Sequence, residues 1–183
     1  AVLPAWRRVA MLPEVGGFPP LYEAPYVGRV EERPRLEAAL QADEPHVVWV
    51  HGYPGIGKTS MLLQMARWMV RTGRFERVVY TSFADGGFAE WALYDLGRQL
   101  VGADWEITAP SAQALVFAAL ERSATLIIWD QVDALLPEGA WPIPSEGWGE
   151  LGQLAARIAG CGRSRLCVLA DLLTLPKEAA QLG

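Results

Sequence analysis

Lysine is almost missing from this chain. Of its 16 basic residues only Lys58 and Lys177 are lysines, and the remaining 14 are arginines. A chain that uses Arg nearly everywhere has kept Lys at two places, and a compact ammonium is not interchangeable with a planar guanidinium. Cysteine is scarce too. Cys161 and Cys167 form neither a C-x-x-C pair nor a four-ligand set with His46 and His51, so two free thiols in a reducing cytosol are expected. Positive charge is in deficit, with 16 basic residues against 21 acidic ones, a net charge of −5 and a pI of about 5.1. That balance leaves no footprint for direct nucleic-acid binding, which needs clustered Lys and Arg to displace counterions from phosphates. No apolar run reaches the roughly 18 to 20 residues of a membrane span, and the chain does not open on a basic-then-apolar signal layout. A cytoplasmic protein with no membrane partner is the expectation.

What is present is enough for one packed domain. The chain has 183 residues, 51% of them hydrophobic and 20% charged, and its 18 Gly and 13 Pro are spread without a period. Residues 1–25 hold Pro4, Pro13, Pro19, Pro20 and Pro25 with Gly16 and Gly17, which suits an arm or linker. Residues 26–183 are expected to form the domain. The start at Ala1 and the stop at Gly183, just after a helix-like opening from Pro176 to Leu182, suggest a fragment of a longer protein.

Along that domain, apolar segments alternate with helical periodicity. Helices are predicted over 33–40, 58–72, 88–101, 111–122 and 148–159, with Gly73 as a C-terminal cap and Ser111 as an N-cap. Strands are predicted over 46–50, 77–83, 125–129 and 166–170, most of them apolar throughout. Continuous apolar strands alternating with helices argue an α/β fold with a parallel sheet covered by helices on both faces. Trp49 and Trp129 then belong to the core, while Trp141 and Trp148 fall in or near the Pro/Gly-rich stretch 137–147. Arg163 and Arg165 precede the last strand and are expected on the solvated surface.

The chemistry concentrates between the first strand and the first long helix. Gly52-Tyr53-Pro54-Gly55-Ile56-Gly57-Lys58-Thr59 satisfies G-x-x-x-x-G-K-[ST]. Glycines let such a loop turn its N–H groups inward around a phosphate, and the following helix aims its N-terminus, here Lys58 to Ser60, at the same anion. Lys58 would reach the β- and γ-phosphates, and the Thr59 hydroxyl would take a place on Mg²⁺. This supplies the reason for one of the two lysines. Thr125-Leu126-Ile127-Ile128-Trp129-Asp130 ends in a carboxylate at the C-terminal end of a strand, where ligands of open α/β sheets sit. Asp130 is therefore the expected second Mg²⁺ ligand, the Walker B acid. Gln131 follows where many such enzymes carry a base; it can orient a water but cannot take its proton strongly, and Asp133 could replace it only if the loop turned it back. Slow hydrolysis at best is expected. The next strand ends in Ala170-Asp171, where a basic or polar residue would more usually face a γ-phosphate.

Upstream, Tyr26-Val27-Gly28-Arg29 and the segment Glu31 to Leu40 resemble the F-V-G-R-E-x-E-L-x-x-L stretch that precedes the phosphate loop of STAND ATPases, the signal-transduction relatives of AAA+ proteins that include NB-ARC and NACHT domains. The resemblance runs from about Tyr26 to Leu175. It implies a P-loop NTPase fold without its last strand and without the lid or winged-helix regions. It also implies adenine contacts from Tyr26 and Val27, Arg29 near the nucleotide, and ATP or ADP with Mg²⁺ as the bound species. Further domains of the same chain and self-association on activation are the implied partners. The chain departs from the pattern at Val30, Gln131 and Asp171. Two other functions fit the loop: a small-molecule phosphotransferase, against which the absence of an Arg-rich lid speaks, and a non-hydrolysing interaction module stabilised by nucleotide.

Overall fold

The computed structural model describes residues 28–44, 46–108, 111–135 and 145–171, with backbone alone for 145–148. The expected arm, Tyr26, Val27, Trp141, the Trp148 side chain and Lys177 lie outside the described residues. The elements run α1 (Glu32–Gln41), β1 (Val47–Gly52), α2 (Lys58–Arg71), β2 (Arg77–Ser82), α3 (Ala89–Leu100), α4 (Ala112–Arg122), β3 (Thr125–Asp130), a 3₁₀ turn (Val132–Leu135), α5 (Ser145–Ala159) and β4 (Arg165–Asp171).

All pairings of the four-stranded sheet are parallel, in the order β1-β4-β3-β2. The chain steps across the whole sheet from β1 to β2, then returns through β3 to β4. Right-handed crossovers in opposite directions must place their helices on opposite faces. Accordingly α1 and α2 pack on one face, through Leu36, Leu40, Met61, Leu62, Met65 and Met69 against Val78, Leu126, Ile128, Cys167 and Leu169. Helices α3, α4 and α5 pack on the other, through Leu93, Leu96, Val116, Leu120, Leu154 and Ile158 against Val79, Ile127, Trp129, Leu166 and Val168. The period of two splits each strand's residues between the faces. The central strand β3 is buried at every position, which explains its unbroken apolar run.

Helix ends follow the sequence to within about a residue, except that α5 begins at Ser145 rather than at 148, inside the expected Pro/Gly-rich stretch, and that the expected cap of α4 does not form. Gly73 closes α2 with its N–H on the Val70 carbonyl (3.0 Å), and the next N–H, from Arg74, reaches the Met69 carbonyl (2.8 Å), the Schellman pattern. Ser111 occupies the N-cap position of α4, but its backbone is not extended (φ −95°, ψ 0°) and its hydroxyl makes no capping bond. At the outer edge of the sheet, the Gln99 side chain of α3 bonds both backbone groups of Tyr80 in β2: its amide N–H₂ donates to the Tyr80 carbonyl (2.9 Å) and its oxygen accepts the Tyr80 N–H (3.2 Å).

Arg165 corrects the sequence expectation. Arg163 is exposed as anticipated, but Arg165 is buried at 8% exposure. Its guanidinium donates to the carbonyls of Ala42 (2.9 Å) and Ser164 (3.0 Å), tying the start of β4 to the end of α1. The two cysteines are free and buried, Trp129 is fully buried and Trp49 partly so. Among the described residues no helix is long and apolar enough to cross a membrane.

Candidate functional site

Beyond the carboxyl ends of the strands, the loop after β1 leaves for one face of the sheet and the loop after β3 for the other, the arrangement that opens a crevice in α/β sheets. The loop at 53–57 fills one wall. Gly55 and Gly57 have φ of +76° and +87°, a left-handed conformation that glycine adopts without a Cβ penalty. Gly52 is fitted for a different reason: a Cβ there would stand 2.5 Å from Ile56 Cδ1, so the Ile56 side chain would have to move to admit a larger residue. Helix α2 starts at Lys58, and Met61 N–H donates to the Gly57 carbonyl (3.0 Å). The N–H groups of Lys58, Thr59 and Ser60 thus precede the helical ladder at the positive end of the helix.

Behind this loop stands Arg29. It adopts φ +54°, donates from Nη2 to the Ile56 carbonyl (2.6 Å) and pairs through Nη1 with Glu32 (3.2 Å). The upstream segment is thereby placed against the loop backbone.

Lys58 is held from three sides. Its ammonium donates to the carbonyls of Gly52 (3.0 Å) and Tyr53 (3.0 Å) and to Asp171 Oδ1 (2.7 Å). The sheet order explains the last partner. β4 lies between β1 and β3, and Asp171 stands in register with Gly52. Asp130 is two strands away, about 10 Å at the usual spacing.

Asp130 closes β3 at 4% exposure. Its Oδ2 accepts the Tyr80 hydroxyl (2.7 Å) and its Oδ1 the backbone N–H of Gln131 (2.9 Å). Burial, and next the hydrogen bond to Asp130, push the Tyr80 phenol above its usual range, so the tyrosine remains a donor to the carboxylate. Burial likewise pushes the Cys167 thiol up. Gln131 has φ +58°, uncommon for a residue other than glycine, and its Oε1 accepts the Ser82 hydroxyl (3.1 Å). That sharp turn sends the chain into the 3₁₀ segment and brings Asp133 back, with its Oδ1 accepting the Asp171 N–H (3.2 Å).

These parts enclose a cavity of about 430 Å³. Pro54, Gly55, Gly57, Lys58, Thr59 and Ser60 line it from the loop and α2, and Asp130, Gln131, Asp133 and Asp171 from the sheet's carboxyl end. Of the expected site residues, Gly52, Ile56 and Arg29 do not line it; Gly52 and Ile56 pack on each other within the loop, and Arg29 braces it through Ile56. Tyr80 was not foreseen. A tyrosine alternating within an apolar strand carries no signal of its own, and its partner lies fifty residues on.

No family model matches the chain, and no curated protein matches it by sequence. Solved structures do match in fold. One is a chain of the HORMA:CdnC:Trip13 complex of E. coli MS115-1, with a TM-score of 0.51 and 16% identity over 85% of this chain and 60% of that one. At that identity the likeness is one of fold, and the chain spans 60% of the length of that relative.

Proposed function

We propose that this domain is an ATP/ADP-binding switch of the STAND type, with slow hydrolysis at best. The observation that carries the reading is the convergence on one cavity of Lys58, Thr59 and the left-handed glycines of the loop with Asp130 from a different strand. A loop of positive-φ glycines ahead of a helix N-terminus suits a phosphate. Thr59 and Asp130 are the residues that would hold Mg²⁺, which would supply countercharge to the phosphates. Among the described residues Asp130 accepts one hydrogen bond on each oxygen, which leaves lone pairs for a metal or its waters. Among the described residues there is no cluster of three or more His, Cys, Asp or Glu arranged to hold an ion by itself.

Slow turnover is supported by the groups facing the cavity. Gln131 is no base and its amide oxygen accepts from Ser82, while Asp133 Oδ1 accepts from the Asp171 backbone. Adenine contacts from Tyr26 and Val27, operation in the cytoplasm, and coupling to other domains or to further copies of the chain belong to the same proposal. Calorimetric titration with Mg·ADP tests it. The parent should bind with a Kd tighter than roughly 100 µM, and Lys58→Ala should weaken binding roughly 100-fold, about 2.7 kcal/mol. Equal binding by both proteins, or none tighter than about 1 mM by the parent, sinks the proposal.

A further inference from the structure

Strands β2 and β3 pair with Ser82 opposite Asp130 and Tyr80 opposite Ile128. Tyr80 therefore stands two residues short of Asp130 along the strand direction, about 7 Å away, and it packs on the face of the sheet that helix α2 covers. A phenol spans that gap. Its hydroxyl donates to Asp130 Oδ2 at 2.7 Å, between residues that are 8% and 4% exposed. The tyrosine is itself anchored, since Gln99 bonds its N–H and its carbonyl. Gln99 Nε2 also donates to Asp95 Oδ2 (2.9 Å), which accepts the Thr81 hydroxyl (2.6 Å). At Asp130 the second oxygen, Oδ1, accepts the Gln131 N–H (2.9 Å). Turning the carboxylate would break both bonds in a place shielded from water, where lost hydrogen bonds are costly. Asp130 is thus held in one orientation at the wall of the cavity that Thr59 also lines.

We propose that Tyr80 is a positioning residue for a divalent cation, fixing the Asp130 carboxylate in the orientation that receives the Mg²⁺ accompanying a bound nucleotide. This rests on the nucleotide reading above. A carboxylate free to turn must be ordered each time a cation binds, whereas one already ordered by a hydrogen-bond partner need not be. Such partners are typically worth roughly 10- to 100-fold in metal affinity. Tyr80 does not line the cavity, so it acts through Asp130 and not on the phosphates. Its hydroxyl should therefore matter to the nucleotide when the cation is present and not when it is absent. A hydroxyl that served the fold alone would change stability and leave the cation's contribution as it was.

Calorimetric titration of the chain with ADP, from EDTA to saturating Mg²⁺, tests this. In Tyr80→Phe the Mg²⁺ concentration that gives the half-maximal gain in ADP affinity should rise roughly ten-fold or more, while the affinity in EDTA stays within about two-fold of the parent's. Thr81→Val removes a neighbouring hydroxyl bonded to Asp95 and leaves Asp130 untouched, so it should lower stability without moving the Mg²⁺ dependence. Added to Asp130→Asn, Tyr80→Phe should change that dependence by less than about two-fold, because the two residues act as one unit. Tyr80→Met is a second hydroxyl-free variant should Tyr80→Phe lack a cooperative thermal transition. The parent's Mg²⁺ dependence in the hydroxyl-free variant overturns the proposal, as does an equal rise in Thr81→Val, which would assign the effect to a loosened β2. Equal losses with and without Mg²⁺ overturn it too. A parent that binds ADP with no help from Mg²⁺ overturns it while leaving the phosphate loop standing, and a parent that does not bind ADP at all overturns both readings.

Discussion

β4 carries a cation partner at each end, and the two ends differ in kind. At its start the buried Arg165 guanidinium meets the neutral carbonyls of Ala42 and Ser164, and among the described residues no carboxylate pairs with it. His46 lies nearby in the chain's path, its ring nitrogens facing the carbonyls of Ala159 and Asp43, and its own carbonyl receives the Leu166 N–H (2.9 Å). Every acceptor named there is main chain, so the contacts hold only while the fold holds. At the far end, Lys58 meets two carbonyls and one carboxylate, that of Asp171. The same sheet thus surrounds one cation with neutral main chain and pairs the other with an acid at the rim of the cavity. A planar guanidinium suits the first task because its fork spans two carbonyls, whereas a compact ammonium suits the second.

Exchanging the chemistry at the structural end gives the largest expected effect on folding stability. Arg165→Lys should lower unfolding stability by about 1.5 kcal/mol, read from urea midpoints, because an ammonium cannot reach both carbonyls. Its Mg·ADP affinity should match the parent's, the reverse of the pattern expected for Lys58→Ala. A loss of affinity without loss of stability would erase the contrast between the two ends.

Tyr80→Phe addresses the functional end from the side of Asp130. Loss of the hydroxyl should cost about 1 kcal/mol at neutral pH. The pH dependence has a defined sign. The phenol is raised above its ordinary value of 10.0 in the fold, so its contribution is complete below that value and is lost as pH rises toward the folded one. Above about pH 10 the parent should therefore lose stability more steeply than Tyr80→Phe. Parallel profiles would show that the tyrosine does not hold its proton for Asp130. The smallest effect is expected at Gln131→Gly. Release of the left-handed strain should outweigh the added freedom of the unfolded chain and raise stability by about 0.5 kcal/mol, seen as a small increase in thermal midpoint. A decrease would mean that the bond to Ser82 outweighs the strain.

Which parts of this arrangement were legible in the sequence follows from the range of the interactions. The loop from Gly52 to Thr59 and the strands at 77–82 and 125–130 are local patterns, and residues alone disclose them. Strand order is not local. Nothing in the periodicity of 165–171 says that this strand inserts between β1 and β3, so the pairing of Lys58 with Asp171 could not be read, although both residues had been singled out. The burial of Arg165 was missed because Arg is usually exposed and its acceptors are backbone groups, which sequence does not distinguish. The return of Asp133 to the cavity depends on a φ of +58° at Gln131, a conformation that a glutamine does not advertise. Ser111 was misjudged by the opposite route: the residue type suits a cap, but the backbone there turns too early for its hydroxyl to bond.

The Gln99 side chain has a consequence for how copies of this domain can meet. By occupying the N–H and carbonyl of Tyr80 together, it acts as a one-residue dummy strand at the middle of β2. An incoming strand would have to break both bonds before adding to that border. Lateral addition of a strand is therefore opposed at the middle of β2, with the exposed Arg77 as a charged residue at the start of the same strand.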